Sequence, residues 1–101
     1  MRTIKFLPTT DPDFARIYEH YAYERGVPHI ANRIDTGIRE AIKEHLSYSP
    51  GIGRMVKKQN EMRGFLTLNS HWVFYTFDAQ TISVHRIMAA KEIKSWDALD
   101  I

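Results

Sequence analysis

Ile30, Ile34, Ile38, Ile42 and Leu46 recur at every fourth position over seventeen residues. In a strand, an even spacing this wide leaves the residues between them unexplained. In a helix it draws one line of branched aliphatic side chains along a single face, with Ala31 and Ala41 beside it. Arg33, Arg39, Glu40, Lys43 and Glu44 fall on the opposite face. The row therefore demands an amphipathic helix of more than four turns whose apolar side lies against a core. Pro28 suits the opening of this helix, since the first helical position needs no amide donor. Ser49-Pro50-Gly51-Ile52-Gly53 ends it.

A second helix precedes this one. Asp11-Pro12-Asp13 combines a capping carboxylate, proline at the first helical position and an acid at the positive end of the helix dipole. Phe14, Ile17, Tyr18 and Tyr21 follow at helical spacing, and Gly26 stops the run. Only Gly26 and Val27 separate the two helices, so they form an antiparallel hairpin. Ahead of them, Arg2–Leu7 alternates and ends at Pro8, which predicts a strand.

The segments 63–68, 71–77 and 81–87 have strand character, with Asn69-Ser70 and Asp78-Ala79-Gln80 as tight turns. They predict a three-strand antiparallel meander, and Lys91 to Ile101 adds a short terminal helix. The order of elements gives an α+β fold over a single domain, residues 1–101: an antiparallel sheet made of the N-terminal strand and the meander, packed against the helical hairpin. Strict alternation places His71, Val73, Tyr75 and Phe77 on one face of the second meander strand, and Trp72, Phe74 and Thr76 on the other. In the third, Ser83, His85 and Ile87 oppose Ile82, Val84 and Arg86.

Several chemistries are disfavoured. The chain has no cysteine, which removes disulfides and thiolate zinc sites and fits the cytoplasm. The histidines, His20, His29, His45, His71 and His85, show no HExxH-like spacing, so neither a metal nor another cofactor is expected. Pro50-Gly51-Ile52-Gly53-Arg54 follows a helix and leads into strands, the reverse of a phosphate-binding loop. No apolar run reaches the ~20 residues of a membrane span. Residues 1–50 carry seven Lys/Arg against seven Asp/Glu, whereas residues 51–94 carry seven against three. That surplus of four suits a phosphate backbone or an acidic protein partner.

One enzymatic possibility follows from RGFLTLNSHWVFYTF, residues 63–77, where cations, histidine and aromatics interleave. Acid–base cleavage of RNA needs a base for the ribose 2′-hydroxyl, cations for the phosphorane and an acid for the leaving oxygen. Arg63, His71, His85 and Arg86 are the candidate set. Alternation gathers no dense cationic cluster on either sheet face, so a sheet core with polar edges is the competing reading.

The passages FARIYEHYAYERGVPHIANRIDTGIREAIKEHLSYSPGIGR (14–54), MRGFLTLNSHWVFYTF (62–77) and TISVHRIMAAKE (81–92) together resemble the RelE/ParE superfamily of type II toxin–antitoxin toxins, and more closely its ParE branch. The resemblance rests on the long helical hairpin, a Pro-x-x-Gly-Arg turn, an arginine-led strand, an aromatic-rich hairpin and a last strand with arginine near its end. It implies one of two activities: RelE-like members cleave mRNA on the ribosome, and ParE-like members poison DNA gyrase. Both are neutralised by a cognate antitoxin, ParD-like or another DNA-binding kind, in a hetero-oligomer. Against the RelE pattern, Arg63 falls at the first catalytic lysine, Phe65 at the second and Trp72 at an arginine. Lys91 approximates a later arginine, and Trp96 the C-terminal aromatic. Ala89 stands where many ParE relatives have histidine. The missing cations favour a non-enzymatic gyrase inhibitor that arrests growth and stabilises plasmids, with the mRNA interferase as the alternative. Arg54, Arg63, Arg86 and Lys91 are then expected as a polar edge for antitoxin or target, with Trp72 and Tyr75 on the sheet surface beside them.

Overall fold

The structure, a computed structural model, describes residues 1–99 and 101. Strand β1 (Thr3–Phe6) leads into helix α1 (Thr10–Glu19), which continues in wider π-type turns over His20–Glu24. Gly26, at φ +67°, turns the chain, and the Val27 amide donates back to the Tyr21 carbonyl six positions earlier, closing the end of the widened helix. Helix α2 (Pro28–Ala41) then runs back and widens likewise over Ile42–Leu46. The isoleucine row behaves as its spacing demands. Ile38, Ile42 and Leu46 are fully buried with Phe14 and Ile17 of α1, and Ile34 packs at the margin of the same core.

Five strands form one sheet in the order β1-β5-β4-β3-β2. Strands β3 (Met62–Thr67), β4 (His71–Phe77) and β5 (Thr81–Ala89) are the meander. The first turn sits one residue earlier than its sequence suggests. Leu68 and Asn69 hold φ near +55°, and the Ser70 amide bonds to the Thr67 carbonyl as in a primed hairpin turn. Two features add to the α+β arrangement. A short strand, β2 (Arg54–Lys57), pairs antiparallel with β3 and forms one edge. At the other edge β1 pairs with β5 in parallel, so the sheet is mixed. The expected terminal helix is reduced to a single 3-10 turn at Ala90–Glu92. Residues 93–99 follow without regular structure, and Asp100 lies outside the described residues.

The two sheet faces differ. Val73 and Tyr75 of β4, with Ile82, Val84 and Ile87 of β5, pack against the hairpin. Strict alternation had separated Ile87 from Ile82 and Val84. The register explains the difference: Tyr75 pairs with Val84 and Phe74 with Arg86, so His85 is an extra residue in β5. A bulge of one residue inverts the alternation beyond it and returns Ile87 to the core.

The bulge lies where β1 runs out. The last backbone bond on that side is from the Leu7 amide to the Val84 carbonyl, which leaves the next donors of β5 without a strand partner. Asp13 of α1 takes their place. Its carboxylate, only 1% exposed, accepts the Ile87 amide at 2.9 Å, Arg86 Nε at 2.8 Å, Arg86 Nη2 at 3.0 Å and Arg16 Nη1 at 3.1 Å. Burial alone would raise its pKa. The hydrogen bonds from Arg86, Ile87 and Arg16 outweigh burial and hold it below the ordinary carboxylate value.

A folded-state pKa below the unfolded one gives stability that is present above the unfolded value, near pH 4, and lost as pH falls through the folded one. Asp13→Asn is therefore expected to lower stability at pH 7 by about 3–5 kcal/mol, the range for breaking a buried ion pair. It should also flatten the loss of stability of the parent chain below pH 4. Urea unfolding at pH 7 and at pH 3 checks both; equal midpoints for the two proteins at pH 7 would refute the role.

Candidate functional site

The residues singled out by sequence do not form one edge. Arg54, on β2, pairs with Gly64; Gly64 pairs with Phe74, and Phe74 with Arg86. Arg54 and Arg86 thus end a single cross-strand row on the face turned away from the helices. Arg63 is one residue before Gly64 in β3 and belongs to the opposite face. Its Nη1 donates to the Gly53 carbonyl at 2.8 Å and the Gly51 carbonyl at 3.3 Å, and its guanidinium stands 6.0 Å from the centre of the Phe77 ring. Lys91, in the 3-10 turn after β5, is exposed.

Trp72 is on the outer face as expected, but not open to solvent alone. Trp96, from the segment after the 3-10 turn, meets its ring edge-on at 4.8 Å and the Phe74 ring at 6.0 Å. Arg54 lies 4.5 Å from the centre of the Trp96 ring, a cation–π contact. Lys57 Nζ bonds the Ile101 carbonyl at 2.9 Å. The C-terminal segment is therefore strapped over the outer face, which is why Phe74 is fully buried on the side without helices. Gly64 makes this possible, because a Cβ there would sit 3.2 Å from Phe74 and 3.3 Å from Trp72. Sequence reasoning offered Trp96 only as a family aromatic; the clustering of Trp72, Phe74 and Trp96 depends on strand register.

Tyr75, expected on the surface beside Trp72, is fully buried on the helix-facing side. Its hydroxyl donates to the Pro50 carbonyl at 2.5 Å and accepts the Gly53 amide at 3.0 Å. Burial raises its pKa, so it remains a neutral donor. Gly53 is required by the same contact, since a Cβ would come within 2.5 Å of the hydroxyl. Tyr75 and Arg63 together grip the Pro50–Gly53 turn and set where β2 begins. They shape the surface from beneath.

The four groups of the nuclease reading are dispersed. Arg63 pairs with Tyr75, four residues along β4 from His71, a separation of about 13 Å along a strand. His71 is 3% exposed on the inner face and bonds Ser70 Oγ at 2.8 Å through Nδ1. His85 occupies the bulge, with Nε2 2.9 Å from Thr76 Oγ1. Burial lowers the pKa of both rings and favours their neutral forms. Arg86 is committed to Asp13. Arg63, His71, His85 and Arg86 therefore do not converge on one reacting group.

Comparison with known proteins bears on the fold. No protein-family profile and no curated protein matches the sequence. A solved structure does: a chain of the "Chromosomal ParDE TA system from P. aeruginosa" superposes with a TM-score of 0.72. The match covers 88% of this chain and 96% of that one, at 23% identity. The fold is ParE-like. In this ParE-like fold the hairpin, the meander and the short β2 edge are one architecture, so the Pro50–Gly53 turn and its tyrosine clamp are part of the frame. Tyr75→Phe should cost about 1–3 kcal/mol, because it strands the Pro50 carbonyl and the Gly53 amide. Amide exchange at Gly53 should accelerate in that variant more than exchange at Val73. Equal protection at Gly53 in both proteins would contradict the clamp.

Proposed function

We propose that the chain is the toxin of a type II toxin–antitoxin system, ParE-like, that inhibits DNA gyrase by binding rather than by chemistry and is neutralised by a ParD-like antitoxin in the cytoplasm. The observation that carries this reading is the likeness to a ParDE chain over 96% of that chain's length. The dispersal of Arg63, His71, His85 and Arg86 supports the non-enzymatic branch, since a ribonuclease has to bring such groups to one phosphate. The surplus of positive charge in residues 51–94 suits an acidic antitoxin. Among the described residues no helix is long and apolar enough to cross a membrane.

Arg54 and Trp72, with Trp96 packed on both, are the first surface on which to look for target or antitoxin contacts, and Arg86, held by Asp13, ends the same row. Arg63 and Tyr75 act through the turn they hold, and Lys91 belongs to a separate concavity. The purified chain is expected to inhibit supercoiling by gyrase and to trap a cleavage complex, and its induction alone should arrest growth. Arg54→Glu, on an exposed side chain, should weaken inhibition about tenfold or more through charge reversal at the interface. Unaffected supercoiling with no trapped complex would overturn the reading; discrete cuts within translated codons after induction would replace it with a ribosome-dependent mRNA interferase.

A further inference from the structure

A cavity of about 230 Å³ opens between the end of α1 and the adjoining ends of β4 and β5. Ile17, Tyr21 and Ala89 supply its apolar wall, and His20, His71 and Lys91 line it with nitrogen. Its size is below the ~300–1,000 Å³ of sites that enclose a drug-sized ligand, which limits the occupant to one large side chain or a single-ring acid.

Most of the charges around it are already satisfied. His20 Nδ1 holds Glu24 at 2.8 Å. Glu92 faces Arg16 at 3.4 Å and accepts the Ala89 amide at 2.9 Å, and Arg16 also bonds Asp13. Two groups are left over. Lys91 has no carboxylate within ion-pair distance among the described residues. His71 is 97% buried, yet only its Nδ1 is bonded, to Ser70. No sealed side-chain nitrogen or oxygen lacks a partner among the described residues, so the unbonded Nε2 opens onto the cavity. Nε2 is thus reachable from outside and available to a ligand. Ser70 Oγ and Nδ1 share one hydrogen bond, and in the tautomer where the hydroxyl donates, Nε2 carries the proton and needs an acceptor. Glu92 acts on the ring more strongly than Lys91 and with opposite sign, but Arg16 holds Glu92; the unpaired Lys91 on the same cavity then calls for that acceptor to be an anion.

We propose that this cavity binds a carboxylate carried on an apolar body, with the carboxylate taken by His71 Nε2 and Lys91 and the body lying on Ile17, Tyr21 and Ala89. Tyr21 is stiffened for this role by the His20 ring, which meets it edge-on at 5.0 Å. The inference does not rest on the toxin reading, and its test needs neither gyrase nor an antitoxin.

The test is titration of the full chain with 4-phenylbutyrate and its neutral amide, read by NMR of the histidine ring nitrogens and the backbone amides. The acid is expected to shift His71 Nε2 and the Ile17 and Ala89 amides, with the amide probe binding about tenfold more weakly. Lys91→Gln, on an exposed side chain, should weaken the acid about tenfold and leave the amide probe unchanged. His71→Gln should do the same if it folds; Lys91→Gln stands as the test if it does not. Tighter binding of acetyl-Phe-Glu-amide than of 4-phenylbutyrate assigns the carboxylate to an acidic side chain of a protein partner, and the reverse order to a free organic acid. Equal affinity for acid and amide, shifts confined to another surface, or an unchanged affinity in Lys91→Gln would overturn the proposal.

Discussion

The carboxylate of Asp13 joins the two layers of this fold. A sheet edged by a strand of only four residues leaves the far half of its neighbour without backbone partners, and a buried amide without an acceptor is costly. Asp13 reaches from α1 to accept the Ile87 amide just where β1 has ended, and it draws Arg86 and Arg16 around itself. A buried carboxylate is itself costly unless every lone pair is used. Here four donors surround it, which is why its pKa falls despite burial. The position of α1 against β5 follows from this joint, α2 follows through the Gly26 turn, and the isoleucine row is thereby aimed at the inner face of the sheet.

That arrangement gives the sheet two unlike surfaces. The inner face is closed by the hairpin over most of its area, and a concavity opens at the end where β4 begins, beside His71 and Lys91. The outer face has no helices and is covered instead by one irregular segment pinned through Trp96 and Lys57. Arg54 and Arg86 end the row beneath that cover. On the proposed reading the protein acts by binding, and unlike surfaces of this kind serve that.

Much of the frame was legible in the sequence because it is written in local periodicities. The Ile30 to Leu46 row, the Gly26 stop and the alternation in 71–77 each act within a few residues of chain, and each appears where expected. What was not legible depends on distant partners. Arg54–Lys57 is too short and too polar to show an alternation, and becomes a strand only because Gly53 is held beneath Tyr75. The parallel pairing of β1 leaves no mark on β1 itself. The extra residue at His85 breaks the period of two, so Ile87 and Arg86 exchanged faces relative to a strict reading. Asp13 reads as a helix-start acid, since nothing nearby announces Arg86, 73 positions away.

The site residues follow the same division. That Arg54, Arg63, Arg86 and Lys91 carry the local positive charge is visible from composition, but the face each occupies is not. The central claim, that one buried carboxylate fixes the helix layer to the sheet, is tested most directly by a double-mutant cycle in urea between Asp13→Asn and Arg86→Gln. The account predicts a coupling energy within the ~0.5–3 kcal/mol seen for residues in one buried network, toward its upper end. Additivity within about 0.5 kcal/mol would contradict it.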